Sequence, residues 1–227
     1  MSTWIKVARY HLLNRVFDVV PGAVLAFCFA VNLSASIATQ SSVNPTKSLT
    51  CIFAVYFALG FLSIVRSLPF ALALGVDRRA YYTGTVLLAA ALAVVYGLVI
   101  AVLQAIERAT GGWGMHLLFF EVAYLFVGPW YLTWLTTFVC LTLVFIYGMW
   151  FGIVYIRWDV IGLLAFIAVQ AIVLVAALVV ATSTGAWGNI SHFFYTGLTA
   201  VGLTGVFAAL AALLFAGGYA TVRRATV

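Results

Sequence analysis

Charge is scarce in this sequence. Only 7% of its 227 residues are Asp, Glu, Lys or Arg, eleven basic and five acidic, against roughly 25% in an ordinary soluble domain. So few charges cannot cover a globule of this size with polar groups. A water-soluble enzyme, an intrinsically disordered chain and a nucleic-acid-binding domain are thereby excluded. The net charge of +6 does not indicate a polyanion partner, because the basic residues form no single patch. Cysteine is scarce too: Cys28, Cys51 and Cys140 each sit inside an apolar run. With no C-x-x-C and no clustering with His, they point to buried small hydrophobes, not to a disulfide framework or a zinc site.

Catalytic and nucleotide-binding motifs are also missing. Lysine occurs only at Lys6 and Lys47, and neither lies in the G-x-x-x-x-G-K-S/T pattern of a phosphate-binding loop. The sequence contains no H-E-x-x-H and no G-x-S-x-G. His11, His116 and His192 are far apart and outside the centres of the apolar runs, which disfavours paired haem ligands. Proton-coupled transporters commonly carry Asp, Glu or His at mid-membrane. Here Asp18 falls at one end of a run, and Glu107 and Glu121 lie near the outer surface, so proton coupling is disfavoured.

What is present is apolar residue, 66% of the chain, with a mean hydropathy of +1.20. A membrane-spanning helix needs about 20 such residues. The runs predict six spans: Phe17–Ile37, Leu49–Val65, Tyr81–Ile106, Tyr131–Tyr155, Val160–Ala181 and Phe193–Ala220. The turn-rich stretch Thr182–Ser191 separates the last two. With the N-terminus in the cytoplasm, Lys6, Arg9, Arg15, Arg66, Arg78, Arg79, Arg157, Arg223 and Arg224 face inward, and only Lys47 and Arg108 face outward. The positive-inside rule therefore predicts an N-in, C-in topology. The expected fold is all-α, a polytopic membrane protein with one transmembrane domain over 1–227. It comprises an amphipathic interfacial helix (1–16), a six-helix bundle (17–220) and a cytoplasmic tail (221–227). The first run is expected to be retained, since the stretch before it is long for a signal peptide and includes Trp4 and Tyr10.

Three local features carry more detail. In the N-terminal segment, Ile5, Ala8, Leu12 and Val16 fall on one helical face and Lys6, Tyr10 and Asn14 on another, with Arg9 beside them. Such a helix lies flat at the interface, as a simple anchor or as a lever. Between spans two and three, Ser67 and Pro69 suit a helix start. Phe70–Leu74 suits a short apolar cytoplasmic helix, Gly75 its end, and Asp77 the cap of the next helix. An apolar helix in a cytoplasmic loop wants lipid or protein to pack against. On the outer side, Leu117–Val127 followed by Gly128-Pro129 reads as a re-entrant or interfacial helix, flanked by Trp113 and Trp130. Alternatively the fourth span starts near Leu117 and kinks at Pro129. The first is favoured because an uncompensated Glu121 is costly at depth. Gly148-Met-Trp-Phe-Gly152 permits close helix approach, within one chain more readily than between chains.

The stretch Leu68-Pro-Phe-Ala-Leu-Ala-Leu-Gly-Val-Asp-Arg-Arg-Ala-Tyr-Tyr82, then Gly84, is similar to the Gly-x-Ser/Thr/Asp-Arg-Arg/Lys segment before the third span of ABC-2 type ABC transporter permease subunits. The whole architecture resembles that bacterial family. Glu107-Arg108 and Gly111–Gly114 also resemble its small members. One departure is the outer apolar segment, which many members carry between spans five and six. The resemblance implies a permease of an ATP-driven exporter in the bacterial plasma membrane, moving an apolar or amphipathic substrate such as a drug, peptide antibiotic or lipid. It implies no cofactor in this chain, with ATP and Mg in a separate ATPase subunit, and a second permease copy as homodimer or related heterodimer. Pro69, Phe70, Leu72, Leu74, Gly75, Asp77, Arg78 and Arg79 would dock on the ATPase. Trp4, Lys6, Arg9 and Arg15 would belong to the lever helix. Competing readings are a non-transporting accessory or scaffold protein and, with no catalytic cluster to support it, a membrane-embedded lipid-modifying enzyme.

Overall fold

Apolar runs of this length must satisfy their backbone hydrogen bonds internally once water is excluded, and helices do so. The computed structural model describes residues 15–39, 50–116, 119–120, 129–188 and 200–224, and among these every regular element is helical. The α-helices are α1 (Arg15–Thr39), α2 (Thr50–Leu62), α3 (Leu68–Ala73), α4 (Arg78–Ala109), α5 (Trp130–Ser183) and α6 (Ala200–Arg224). Five helical stretches are long and apolar enough to cross a membrane: Val19–Ala38, Thr50–Ala73, Arg78–Ala109, Trp130–Ser183 and Val201–Thr221. The expected amphipathic helix over 1–16, with Trp4, Lys6 and Arg9, lies outside the described residues apart from the start of α1 at Arg15.

With 54 residues, α5 would reach about 80 Å if straight, more than twice the ~30 Å hydrocarbon core. It does not stay straight. Asp159 has φ 56° and ψ −160°, and the chain folds back there. Tyr147 donates a hydrogen bond to Gln170 Oε1. The Phe151 and Phe166 rings meet edge to face at 5.2 Å. Both pairs centre on the peptide between Trp158 and Asp159, as an antiparallel hairpin requires. The predicted runs Tyr131–Tyr155 and Val160–Ala181 are thus a first arm (130–158) and a return arm (160–183) of one hairpin.

Glycine sets how closely the helices pack. A Cβ on Gly60 would fall on the Phe145 carbonyl oxygen, and one on Gly148 on that of Phe57. A Cβ on Gly152 would lie 2.7 Å from Ile64 Cβ. The Gly148–Gly152 pair is therefore a seam within the chain, where α2 and the first arm of α5 run parallel with backbones in contact. Phe57 against Phe151 at 5.1 Å and Phe61 against Tyr155 at 5.8 Å flank it. α4 packs antiparallel on the same arm, with Gly97 against the Trp134 carbonyl and the Trp134 indole donating to Val94 O at 3.2 Å. α6 closes the bundle: Trp150 donates to Leu214 O at 2.8 Å, and the Thr136 and Thr204 hydroxyls pair at 2.7 Å.

The junction of spans two and three differs from the expected loop. α2 does not stop before Ser67. It passes through a π-helical turn, Ser63–Ser67, directly into α3. Ser67 has helical angles and makes no side-chain cap, because its N–H and those after it sit in a continuing helix where no cap is required. The short helix expected in that loop is thus a continuation of α2. Its C-terminus is as expected: Gly75 has φ +77°, Gly75 N–H donates to Leu72 O at 2.9 Å and Val76 N–H to Ala71 O at 3.0 Å, a Schellman closure. Asp77 takes the extended N-cap conformation without a side-chain cap bond, and α4 starts three residues before the predicted Tyr81. On the far side α5 begins at Trp130, after an extended Pro129, so no helix kinks through that proline. Of Leu117–Val127 only Phe119 and Phe120 are described, and the rest of that expectation lies outside the described residues.

Candidate functional site

α3 stands at the bundle end that carries Arg66, Arg78, Arg79 and Arg157. Ala71 is buried and anchors the turn, whereas Phe70 is 51% exposed and Leu74 65%. Pro69, Gly75, Asp77 and Arg79 are also exposed, and Leu72 and Arg78 are half-buried. Of the expected docking residues, the structure therefore gathers Pro69, Phe70 and Leu74 into an apolar knuckle with cations on either side. The lever residues Trp4, Lys6 and Arg9 cannot be placed beside it, and the side chain of Arg15 lies outside the described residues.

The knuckle is rigidly mounted. Tyr81, fully buried, donates from its hydroxyl to Ser63 O at 2.6 Å. That carbonyl also accepts the π-turn hydrogen bond from Leu68 N–H. Such turns weaken the regular helix ladder, and the tyrosine braces this one from α4. Its neighbour Tyr82, also fully buried, stacks on Phe215 at 5.6 Å and lies under Gly218 of α6. Tyr81 and Tyr82 follow the Arg78-Arg79 pair, and their positioning role was missed in the sequence. Two adjacent tyrosines at the start of an apolar span were the available signal.

A second cluster sits at the opposite end. Glu107, expected near the outer surface, is fully buried. Its carboxylate accepts from the Trp113 indole at 3.1 Å, from Phe119 N–H at 2.9 Å and from Phe120 N–H at 3.1 Å. The chain returns to it through Gly111, Gly112, Trp113 and Gly114, all with positive φ. Three glycines take up that left-handed turn at no steric cost. Trp113, the one residue with a Cβ, is held by its indole bond to Glu107. Phe29 of α1 packs on Trp113, Phe119 and Phe120 at 5.1, 5.3 and 5.7 Å. Burial of the carboxyl group is tolerated because three N–H donors meet it. Buried Gln104, Thr133, Thr136, Thr137 and Thr204 belong to the same half of the bundle. Within it the side-chain atoms Gln104 Nε2 and Thr133 Oγ1 have no hydrogen-bond partner among the described residues.

Among the described residues no three His, Cys, Asp or Glu side chains cluster to hold a metal. The free thiols of Cys28 and Cys51 meet across α1 and α2, a proximity the sequence spacing did not suggest. Fold and composition define a class: an all-helical chain with several helices fit for multi-pass insertion in a membrane. No model of a known protein family, no curated protein and no solved structure matches it.

Proposed function

We propose that the chain is the permease subunit of an ATP-driven exporter, of the ABC-2 type that its Leu68–Tyr82 stretch resembles. In this reading it crosses a bacterial plasma membrane six times, with the two arms of α5 counted separately and both termini in the cytoplasm. A separate ATPase subunit supplies nucleotide chemistry, and a second permease copy completes the transporter. The observation that carries the reading is the exposed Phe70–Leu74 knuckle. Exposed apolar side chains between cations suit a protein partner better than water. The mounting suits a mechanical role. α3 is continuous with α2, α2 touches α5 backbone to backbone at Gly60 and Gly148, and a push on the knuckle reaches the bundle through rigid contacts. A cargo that is apolar or amphipathic fits a bundle poor in charge.

The test is co-purification of the full chain with its ATPase, followed by transport-coupled ATP turnover. Phe70→Asp with Leu74→Asp, and separately Arg78→Glu with Arg79→Glu, are expected to lose the ATPase and the coupling while membrane insertion persists. A chain that purifies with no ATPase subunit refutes the exporter reading and leaves an accessory or scaffold role.

A further inference from the structure

The α5 hairpin forms a groove that the other described residues leave open. It has a volume of about 490 Å³ and is lined by Val154 and Trp158 of the first arm and Ile161, Ala165, Phe166 and Val169 of the return arm. Gly162 lets the return arm start directly against Trp158. Beyond Gln170 the return arm is exposed on every side as far as Val180. Among the described residues nothing lies over the groove but the medium around the bundle. The volume falls within the usual range of ligand sites, and the lining is wholly apolar.

Charged residues adjoin the Trp158 wall of the groove. Arg157 and Asp159 flank Trp158, and both are exposed. The guanidinium lies 5.0 Å from the centre of the Trp158 ring, which orients it by a cation–π contact. Asp159 sits at φ 56° and ψ −160°, a conformation that disfavours any residue but glycine. A carboxylate is thus held at a position where backbone geometry alone calls for none. A cation, an indole and an anion adjacent in the chain beside an apolar groove match one ligand chemistry. We propose that the hairpin binds a glycerophospholipid with a zwitterionic phosphoethanolamine headgroup. The phosphate rests on Arg157, the ammonium on Asp159, and an acyl chain occupies the groove. A headgroup of net negative charge would satisfy Arg157 but be repelled by Asp159. This assignment needs only that the hairpin lies in a membrane, and stands or falls apart from the exporter reading.

The test is native mass spectrometry of the full chain in detergent, with phosphatidylethanolamine and phosphatidylglycerol of identical acyl chains added at equal concentration. The expected result is a first bound lipid enriched in phosphatidylethanolamine by about five-fold, the effect of one exposed charge pair. Asp159→Asn, nearly isosteric with Asp and so keeping the turn, should bring the ratio to about one; Arg157→Gln should weaken retention of both lipids, since each carries the phosphate, without raising the share of phosphatidylglycerol. Ala165→Trp, which fills the groove and leaves both charges, should remove the first bound lipid of either kind. Equal retention of the two lipids by the unaltered chain overturns the proposal. So does a preference that survives Asp159→Asn, retention unchanged by Arg157→Gln, or binding unchanged by Ala165→Trp.

Discussion

Replacing Glu107 with Leu removes the acceptor of three N–H groups and adds none. Phe119 and Phe120 are buried, so their amides have no water to turn to. Each stranded donor costs about 1–3 kcal/mol, which sets the loss at roughly 2–6 kcal/mol. The half-buried Trp113 indole can swing outward and adds less. Loss of a buried carboxylate also removes its desolvation cost, which offsets part of the change in global stability. The decisive readout is therefore local. Hydrogen exchange at the Phe119 and Phe120 amides should accelerate by about 30-fold or more, taking the lower bound at 1.4 kcal/mol per decade. Exchange in the middle of α4 should be unaltered. Glu107→Gln keeps one acceptor oxygen but turns an NH2 toward the donors, and should fall between wild type and Leu. Unchanged exchange at both amides in Glu107→Leu, with α4 intact, would refute the claim that this carboxylate holds the segment.

Three other outcomes test the packing. Gly148→Leu drives a side chain into the Phe57 carbonyl and should cost at least about 2–3 kcal/mol, seen as loss of the monodisperse peak in detergent; Gly205→Ala, with nothing within 4 Å of the added carbon, should elute as wild type. Tyr81→Phe removes the 2.6 Å bond to Ser63 O and should lower stability by about 1–2 kcal/mol, with faster exchange across 63–68; equal exchange there would mean that the π turn needs no brace. Asp159→Gly relieves the strained angles and should gain about 1 kcal/mol, measured as a higher melting temperature in lipid-free detergent.

Much of the helical layout was legible because a long apolar run admits few backbone solutions in a membrane. Gly75 could be read as a helix end and Gly148–Gly152 as a close approach, since both depend on glycine within a short window. The Ser67 cap was misread for a related reason: Ser-x-Pro fits a helix start locally, but a π turn braced by Tyr81, 18 residues away, lets α2 run on. Glu107 reads from the sequence as the end of an apolar run, and it does lie in the last turn of α4. Its burial depends on amides 12 and 13 residues further along, and no periodicity encodes that meeting. Of the expected docking set, Phe70 and Leu74 are exposed, which leaves the docking role a proposal, and the expected lever residues Trp4, Lys6 and Arg9 fall outside the described residues.

By itself the sequence determined that the chain is helical, apolar and sparingly charged, because hydropathy and helix-breaking residues act over a single turn or run. Only the tertiary structure decided which glycines bring backbones together, how α2 runs on into α3 through a π turn, and where a buried carboxylate finds its donors. Tyr82 reaches the Phe215 carbonyl across 133 residues, and Thr136 meets Thr204 across 68. Such partners are selected by the shape of the packed bundle, where a helix face that is uniformly apolar in sequence acquires one particular neighbour at each point.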